Sequence, residues 1–507
     1  MTHPRLMFIG VRSRLRGKFC SCMGPGISSR FHMLGGIKTC GASRLFCWCV
    51  KTPIMAGLPS LTGSLLPNTR LIFSENSWHR RKSMGKMRET SKIIALPDGT
   101  PVRLIGALDV IPTQGENGGK PGLMPIRLPR QAFGQFAEFM YESVKSVVCG
   151  GSGIRLAFRI TARRVSLGVR CTRTDFEGGP PEEKRFSCTV DGRKFADVPA
   201  PVNIIRVINE EGNLVSLTRI SEESRVVFSD LPQGDKTVTI WLPQSFSTEL
   251  LYLQVDAPIS PAPESGRPAW IHHGSSISDC YQAETPLSVW PVAAACQVDI
   301  EVTNLGFSGQ CMLDPFVARA IAQTDADFIS ISCGVNIVGE RAMDRRVFEP
   351  ALHGFLDIIR QGHPDTPILL VSSIYWPGSD DVPGPADIRF HEDGTMTCYC
   401  YGDKADIAKG AMTLGQSRFL VERVVRRRRI RGENIAYLNG LELFGPEDVE
   451  RLALVDGLHP STETYEEIAR RFVGKVFPRK GFPRAFPPAN GGDRETKMSF
   501  ADSFPSA

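Results

Sequence analysis

The chain has 507 residues, of which 42% are hydrophobic, 22% charged and 8% aromatic, so we expect more than one folded domain and exclude a mostly disordered, collagen-like or coiled-coil chain. Its formal net charge is +6, but residues 1–87 hold 14 basic residues and one acid, which leaves residues 88–507 with a net charge of −7. The negative charge of residues 88–507 should repel nucleic acid. The sequence has no run of 18 apolar residues, which excludes a membrane-spanning helix.

Residues 1–87 are rich in arginine, serine and cysteine and show neither helical nor strand periodicity. Basic residues interrupt their apolar stretches, which excludes a secretory signal peptide. We expect an unstructured leader with two open explanations: an organelle transit peptide, or a translation start placed too far upstream, with Met84 or Met87 as the true start. A genuine leader would direct import into an organelle, whereas without it a cytoplasmic protein is expected.

The 14 cysteines are scattered along the chain, and neither Cys20-Ser-Cys22 nor Cys398-Tyr-Cys400 has the ligand spacing of a zinc site. We therefore expect reduced thiols, as in a cytoplasmic protein, and no metal. Phosphate-binding loops and dinucleotide fingerprints are also missing from the sequence, so no organic cofactor is expected.

Residues 88–257 predict a β-sandwich domain. Apolar and polar residues alternate over 153–160, 165–171 and 237–242, and turn signals such as Asp191-Gly192 separate these segments. A proline-rich stretch, residues 258–268, then predicts a linker.

From residue 269 to residue 477, short apolar strands alternate with helical stretches, which is typical of an α/β domain with a parallel sheet between helices. We predict strands at Trp270–His273, Asp299–Asn304, Phe328–Ser332, Pro367–Ser372 and Ile435–Leu438. Helices are predicted at 315–324 and 462–476 and along an apolar stripe formed by Val347, Phe348, Ala351, Leu352, Phe355, Leu356 and Ile359. Residues 478–507 lack any period and predict a disordered tail.

Four short motifs follow the predicted strands in order. Ser276 comes directly after the first strand, Gly306 after the second, Asn336 after the third, and Asp456-Gly-Leu-His459 before the last helix. All of them should lie at the edge where a parallel sheet binds ligands. Ser276 alone is a weak signal, because a serine there is also a common helix N-cap, and the segment lacks the Gly-x-Ser-x-Gly pattern of an ordinary α/β-hydrolase.

Together these motifs resemble the four blocks of the SGNH hydrolases, also called GDSL-type esterases, lipases or acylhydrolases. The resemblance implies a three-layer α/β/α domain in which Ser276 is the nucleophile, His459 its general base and Asp456 the residue that orients His459. It also implies an oxyanion hole formed by the backbone N–H groups of Ser276 and Gly306 and the side-chain amide of Asn336. We expect a glycine at position 306 because a side chain there would block the acyl group.

One position departs from the family pattern, since Ser275 stands where the first block usually has aspartate. The segments Asn304-Leu-Gly-Phe-Ser-Gly-Gln310 and Leu313-Asp-Pro-Phe316 are similar to a branch with a β-sandwich ahead of the SGNH domain, which implies a jelly-roll-like sandwich here. That branch includes an acyltransferase acting on a polyketide antibiotic.

The resemblance implies a serine esterase that forms an acyl-enzyme on Ser276 and acts on a small-molecule or glycan ester. Two alternatives stay open: an acyltransferase that passes the acyl group to an alcohol, and a non-catalytic glycan-binding protein. The sequence does not indicate the oligomeric state.

Other conspicuous residues receive structural interpretations. We expect His272 and His273 to be structural histidines, and Arg426–Arg429 to form a solvated helix end. Tyr375 and Trp376 are predicted either to wall the acyl pocket or to lie in a surface loop.

Overall fold

The computed structural model describes residues 91–477 except 116–118, 210–211 and 393–394. The predicted leader and the predicted disordered tail lie outside the described residues. In the described ranges, no helix combines the length and the apolarity needed to cross a membrane.

The N-terminal part of the described chain is a β-sandwich, as the alternating segments predict. Its strands are β1 (Ser91–Ala95), β2 (Pro101–Ile105), β3 (Asp109–Thr113), β4 (Gly122–Ile126), β5 (Arg155–Ile160), β6 (Val165–Phe176), β7 (Arg185–Val190), β8 (Arg193–Pro199), β9 (Ile204–Ile208), β10 (Leu214–Arg219), β11 (Ser224–Phe228), β12 (Lys236–Trp241), β13 (Ser247–Val255) and β14 (Ile259–Pro261). One sheet has the order β1-β2-β5-β12-β7-β8 with β14 paired to β5, and the other the order β10-β9-β6-β13-β4-β3 with β11 paired to β6. Phe158 and Phe186 from the first sheet and Leu167 and Leu250 from the second share one apolar core.

Two features of this domain were not predicted. The segment between β4 and β5 forms 3-10 helices at Arg130–Gln135 and Glu138–Met140 and the helix α1 (Tyr141–Val148). The hydrophobic residues of this segment, including Val144 and Val148, pack into the core of the C-terminal domain rather than that of the sandwich. These hydrophobic residues pack against partners that are distant in sequence. A helix this short therefore shows too few turns to be predicted from its own sequence. The predicted linker also contains a strand, β14, which pairs with β5.

The C-terminal part is the predicted α/β domain. Its central strands are β15 (Ala269–Gly274), β16 (Glu301–Gly306), β17 (Phe328–Ser332), β18 (Ile368–Val371) and β21 (Ile435–Leu438), all parallel in the order β16-β15-β17-β18-β21. A hairpin formed by β19 (Ala386–Phe390) and β20 (Met396–Cys400) comes between β18 and β21 in the sequence. The helices are α2 (Ser276–Asp279), α3 (Trp290–Val298), α4 (Pro315–Gln323), α5 (Val335–Gly339), α6 (Arg345–Gly362), α7 (Leu414–Ile430) and α8 (Thr462–Val476).

The helices form two groups. Helix α3 packs on α8, while α6 packs on both α4 and α7. The sheet order is that of a doubly wound fold, in which the chain reverses direction beside the first strand and opens a ligand-binding crevice at the carboxyl ends of the strands. Ser276 follows β15 at this crevice, so the topology confirms the predicted fold class.

Some predicted boundaries differ from those observed. The second strand was predicted at 299–304 but spans 301–306, because Asp299 adopts a left-handed conformation (φ 56°) that ends α3. The fourth strand is shorter than predicted, at 368–371, and α4 ends one residue early, at Gln323.

Two side chains differ in burial from what the sequence suggested. Val347 belongs to the predicted apolar stripe of α6 but is 52% exposed, since the buried stripe starts at Phe348. Arg428 is buried rather than solvated, and it pairs with Asp357 and Glu433.

Candidate active site

Ser276 begins the four-residue helix α2 immediately after β15. The hydroxyl of Ser275 caps this helix by accepting a hydrogen bond from the Ile277 N–H at 3.3 Å. A serine can therefore do the capping that an aspartate could also do, since both are favoured N-cap residues. Gly274 is required just before, because a Cβ there would lie 2.2 Å from the Ser278 hydroxyl.

Asp456 and His459 lie in a tight loop ahead of α8. The loop is closed by a hydrogen bond from the Val455 N–H to the His459 carbonyl at 2.7 Å. One oxygen of Asp456, Oδ1, accepts the N–H groups of Leu458 (3.1 Å) and His459 (2.8 Å), and the other, Oδ2, lies 2.6 Å from Nδ1 of the His459 ring. Burial disfavours the charge of Asp456, but these hydrogen bonds outweigh it and lower the pKa of the carboxyl to about 2.

The fold brings Ser276 to His459 across 183 positions of sequence. Nε2 of His459 lies 2.8 Å from the Ser276 hydroxyl oxygen. If Nδ1–H donates to Asp456, Nε2 carries the free electron pair and can accept the serine proton. Ser276 is 7% exposed, and the His459 side chain is 16% exposed. The three residues form a continuous chain of hydrogen bonds that reaches solvent through the imidazole.

The environment of Gly306 does not support its predicted place in an oxyanion hole. Its N–H donates to Oδ1 of Asn304 at 3.0 Å. A Cβ at position 306 would also lie 2.4 Å from the backbone nitrogen of Asp279. Glycine is required here because α2 packs against this strand end.

The turn after this strand, residues 306–311, supplies another candidate donor for an oxyanion hole. We call it the oxyanion turn. It is held at two points: the Ser308 hydroxyl donates to Asp279 Oδ2 at 2.8 Å, and the Cys311 N–H donates to Asn336 Oδ1 at 3.1 Å. Between them, Gly309 has φ 71° and open space where a Cβ would be, and its N–H has no hydrogen-bond partner among the described residues.

Asn336 lies in the first turn of α5, after the third parallel strand. Because its Oδ1 accepts the Cys311 N–H, the NH₂ group is the end of the side chain that remains to donate. Sequence reasoning placed Asn336 in this region but chose Gly306 instead of Gly309. Both glycines belong to the segment 304–310. The signal that separates them is the hydrogen bond of the Gly306 N–H, which depends on the folded position of Asn304.

His272 and His273 are fully buried and hydrogen-bonded, as structural histidines are. His272 contacts the hydroxyls of Ser330 (2.7 Å) and Ser278 (2.8 Å), and His273 contacts the Leu305 carbonyl (2.7 Å). Burial lowers the pKa of both rings, that of His273 to about 4, so both are neutral at pH 7. His272 supports the Ser276 helix through Ser278.

Cys398 brings a third potential metal ligand to the pair Asp456 and His459, with their ligand atoms within 4.8 Å of one another. Burial, together with the neighbouring Asp456 carboxylate, raises the pKa of the Cys398 thiol well above its usual range. A protonated thiol is a poor metal ligand but can donate a hydrogen bond to the carboxylate. The chemistry of this group therefore fits a support for Asp456 better than a metal site.

Tyr375 and Trp376 occupy different environments. Trp376 is 1% exposed, and its indole N–H donates to the Cys398 carbonyl at 3.3 Å, which makes it part of the packing behind the Asp456 loop. Tyr375 is half-buried and donates its backbone N–H to the Phe444 carbonyl at 3.0 Å. Neither is an exposed surface-loop residue.

Comparison with known proteins finds one matching family model and several similar folds. Residues 268–378 match the model of the GDSL-like lipase/acylhydrolase family. The fold is similar to a salicylyl-acyltransferase from a tetracycline biosynthetic pathway, with a TM-score of 0.60 and 24% identity over 76% of this chain and 96% of that one. It is also similar to a protein described as a GDSL-like lipase from Bacteroides ovatus, with a TM-score of 0.51 and 15% identity over 76% of this chain and 98% of that one. No curated protein sequence matches significantly.

The matched residues lie in the α/β domain, and both the match and the similar folds are consistent with the SGNH, or GDSL-type, hydrolases. These findings support an enzyme that acts on ester bonds.

Proposed function

We propose that the protein is a serine esterase that forms an acyl-enzyme on Ser276. The observation that carries this proposal is the hydrogen-bonded series Ser276 Oγ, His459 Nε2, His459 Nδ1 and Asp456 Oδ2, with distances of 2.8 and 2.6 Å. A serine hydroxyl is a poor nucleophile until a base takes its proton, and this arrangement supplies the base and orients it.

In the first half-reaction, Ser276 Oγ attacks the ester carbonyl while its proton passes to His459 Nε2. The C–Oγ bond forms, and the carbonyl electron pair moves onto oxygen. When the tetrahedral intermediate collapses, the bond to the alcohol oxygen breaks and His459 returns its proton to the leaving alkoxide. Asp456 remains a carboxylate throughout and stabilises the protonated ring.

The negative oxygen of the intermediate needs donors that are already in place. We propose the backbone N–H groups of Ser276 and Gly309 and the side-chain NH₂ of Asn336. The oxyanion turn supports this assignment, because it is bonded to Asp279 at one end of the Ser276 helix and to Asn336 on the other side. Gly306 is replaced in this proposal because its N–H is already donated to Asn304.

In the second half-reaction, a water molecule gives its proton to His459 Nε2 and attacks the acyl carbon, which releases the acid and restores Ser276. An alcohol in place of water would give acyl transfer by the same steps. None of these steps requires a metal or an organic cofactor. The substrate is proposed to be a small-molecule or glycan ester.

We further propose a cytoplasmic location, supported by cysteine usage. All nine cysteines of the described ranges are free thiols, and eight of them are buried. Proteins of oxidising compartments usually pair such residues as disulfides.

The nucleophile is tested by labelling with a fluorophosphonate, which bonds to an activated serine oxygen as fluoride leaves. We expect wild-type protein to gain one label on Ser276, and Ser276→Ala to lose labelling and the hydrolysis of p-nitrophenyl esters while keeping its melting temperature. The matched control is Ser275→Ala, which should still label but lose about 1 kcal/mol of stability with its cap. Equal hydrolysis by Ser276→Ala, or a label found on Ser275, contradicts the proposal.

Hydrolysis and transfer are separated by adding an alcohol acceptor to the p-nitrophenyl ester assay. For an esterase, the yield of free acid should stay close to the yield of nitrophenol. An acyltransferase would instead divert most of the acyl group to the alcohol at acceptor concentrations far below that of water.

A further inference from the structure

The helix that carries Ser276 cannot hold its own position. Helix α2 is one turn long, and a single turn does not pay back the cost of helix nucleation. It ends at Cys280, which adopts a left-handed conformation with φ 58°. Contacts from other elements must therefore fix α2, and the structure shows two of them coming from the sandwich domain.

The first contact is made by Arg127, which follows β4 and is completely buried. Its NH1 atom lies 2.9 Å from Asp279 Oδ1, at the end of α2, and donates to the Gly306 carbonyl at 2.6 Å. The other terminal nitrogen, NH2, donates to the Val147 carbonyl at the end of α1. One guanidinium group thus joins the sandwich, the nucleophile helix and the start of the oxyanion turn.

The second contact is made by Ser152 in the glycine-rich turn before β5. Its hydroxyl donates to the Asp279 carbonyl at 3.0 Å and accepts from the Asn304 side-chain amide at 2.9 Å. The same amide of Asn304 donates to the Ser278 carbonyl at 2.8 Å. Gly153 allows this close approach, because a Cβ at position 153 would lie only 3.1 Å from the Cβ of Asn304.

Asp279 completes the connection. Its Oδ2 accepts the Ser308 hydroxyl, and its Oδ1 faces Arg127, so the carboxylate links α2 to the oxyanion turn. Burial of Asp279 disfavours its charge, and Arg127 is the cation that compensates. The nucleophile and the proposed oxyanion donors are therefore held relative to each other through a residue of the other domain.

We propose that Arg127 is a positioning residue for catalysis: through Asp279 and the Gly306 carbonyl, it fixes the distance between Ser276 and the oxyanion turn. It does not touch the substrate or the reacting atoms. The inference rests on the proposed function, because it concerns the geometry of that same site. A displacement of about 1 Å between nucleophile and oxyanion donors can cost on the order of 100-fold in rate.

The test compares Arg127→Met with Arg155→Met in the full-length protein. Arg155 is also a buried sandwich arginine that reaches the α/β domain, where it donates to the Val302 carbonyl at 3.3 Å, but it contacts neither α2 nor the oxyanion turn. Both variants should lower the melting temperature. We expect Arg127→Met to lose about 10- to 100-fold in kcat per labelled active site with KM little changed, and Arg155→Met to keep kcat within about threefold.

A double variant separates positioning from stability. Arg127→Met leaves Asp279 buried without its cation, so adding Asp279→Asn should recover much of the lost melting temperature. The kcat should stay low, because the bond to the Gly306 carbonyl remains missing. Recovery of both quantities together would show that Arg127 acts only through stability and would overturn the proposal.

Four further results are decisive. Wild-type kcat in Arg127→Met, or an equal loss of kcat in Arg155→Met, overturns the positioning role. If Arg127→Met does not fold, the double variant Arg127→Met/Asp279→Asn decides, since a folded double variant that loses less than threefold in kcat also overturns it. Failure of the wild-type protein itself to take the fluorophosphonate label would instead contradict the proposed function.

Discussion

The two sides of the proposed active site are built in different ways. On the acid–base side, Asp456 and His459 are three residues apart, and the loop that holds them is closed by its own hydrogen bonds. On the nucleophile side, Ser276 lies on a single helical turn that Arg127, Ser152 and Asn304 support from distant parts of the sequence. One side is therefore built mainly from neighbours in sequence, with the Cys398 N–H bonded to the Asp456 carbonyl at 2.8 Å, whereas the other depends on how two domains pack.

This difference predicts how substitutions on each side should affect activity and stability. A local loop keeps its geometry as long as its few residues are present, so damage to it should appear mainly in chemistry. A side assembled by long-range contacts should lose chemistry and stability together.

The largest effect is expected on the local side. His459→Ala and Asp456→Asn should each lower kcat by on the order of 1000-fold or more, with His459→Ala at least as damaging, because His459 moves the proton and Asp456 orients it. The double variant should be barely worse than His459→Ala alone, as for residues that act as a unit. Steady-state kinetics on a p-nitrophenyl ester measures all three.

The matched control for His459 is the exposed His391, bonded to the Thr397 hydroxyl at 2.9 Å, whose replacement by alanine should leave kcat unchanged. Losses that simply multiply in the double variant would show that Asp456 and His459 act separately.

A smaller effect, and a sharper contrast, is expected for two asparagines. Asn336→Ala should lower kcat by about 100- to 1000-fold at nearly constant KM, because it removes one oxyanion donor, and should cost about 1 kcal/mol of stability, because the Cys311 N–H loses its acceptor. Asn304→Ala should instead reduce stability by on the order of 2 kcal/mol, since it leaves the Gly306 N–H and the Ser278 carbonyl buried with lost partners.

Urea unfolding and kinetics on both asparagine variants distinguish these outcomes. An Asn336→Ala enzyme with full kcat would remove this side chain from the oxyanion hole. An Asn304→Ala protein as stable as wild type would contradict the long-range support of the nucleophile side.

The smallest effect on chemistry is expected at Asp448, which lies outside the loop of Asp456 and His459 and pairs with Arg471 of α8 at 2.6 Å. The hydrogen bonds from Arg471 lower the pKa of Asp448 to about 2. A carboxylate with a lowered pKa stabilises the fold fully above the unfolded-state value near 4, and this contribution is lost as the pH falls towards 2. Asp448→Asn should therefore lower the urea midpoint at pH 7 but differ little from wild type near pH 2, with kcat changed only a few-fold.

The control for Asp448 is Asp230→Asn, whose side chain is 88% exposed and whose Arg163 partner is 3.7 Å away. Its urea midpoint should follow that of wild type at every pH. A constant gap between Asp448→Asn and wild type from pH 7 to pH 2 would show that packing, rather than charge, is lost.

The fold class was predictable because its signals are local. Runs such as Phe328–Ser332 and Ile435–Leu438 are short and apolar, and the structure places strands at the same residues. The errors occur where distant contacts decide. The helix α1 packs into the core of the other domain, and Arg428 is buried while it pairs with Glu433 and with the exposed Asp357. The exception is Asp299, whose left-handed conformation ends a helix locally where a strand was predicted.

The same distinction applies to the candidate site. Sequence order and spacing led to Ser276, Asp456 and His459. In the structure, His459 lies within hydrogen-bonding distance of both Ser276 and Asp456. The choice between Gly306 and Gly309 could not be made from the sequence, because it depends on which N–H group Asn304 occupies. Arg127 gave no signal at all, since its partners lie in another domain.

The buried Arg127 also bears on the order in which the protein is made. Arg127 leaves the ribosome 179 positions ahead of Gly306, and a sandwich that folds first must present this guanidinium to water without its counter-ion. The strand β14, which pairs with β5, emerges shortly before the α/β domain. The nascent sandwich is thus left with one unfinished face, and that face is closed when the segment carrying Ser276 and Asp279 docks on it. Arg127 can therefore be buried only after the segment that carries Asp279 and Gly306 has been synthesised.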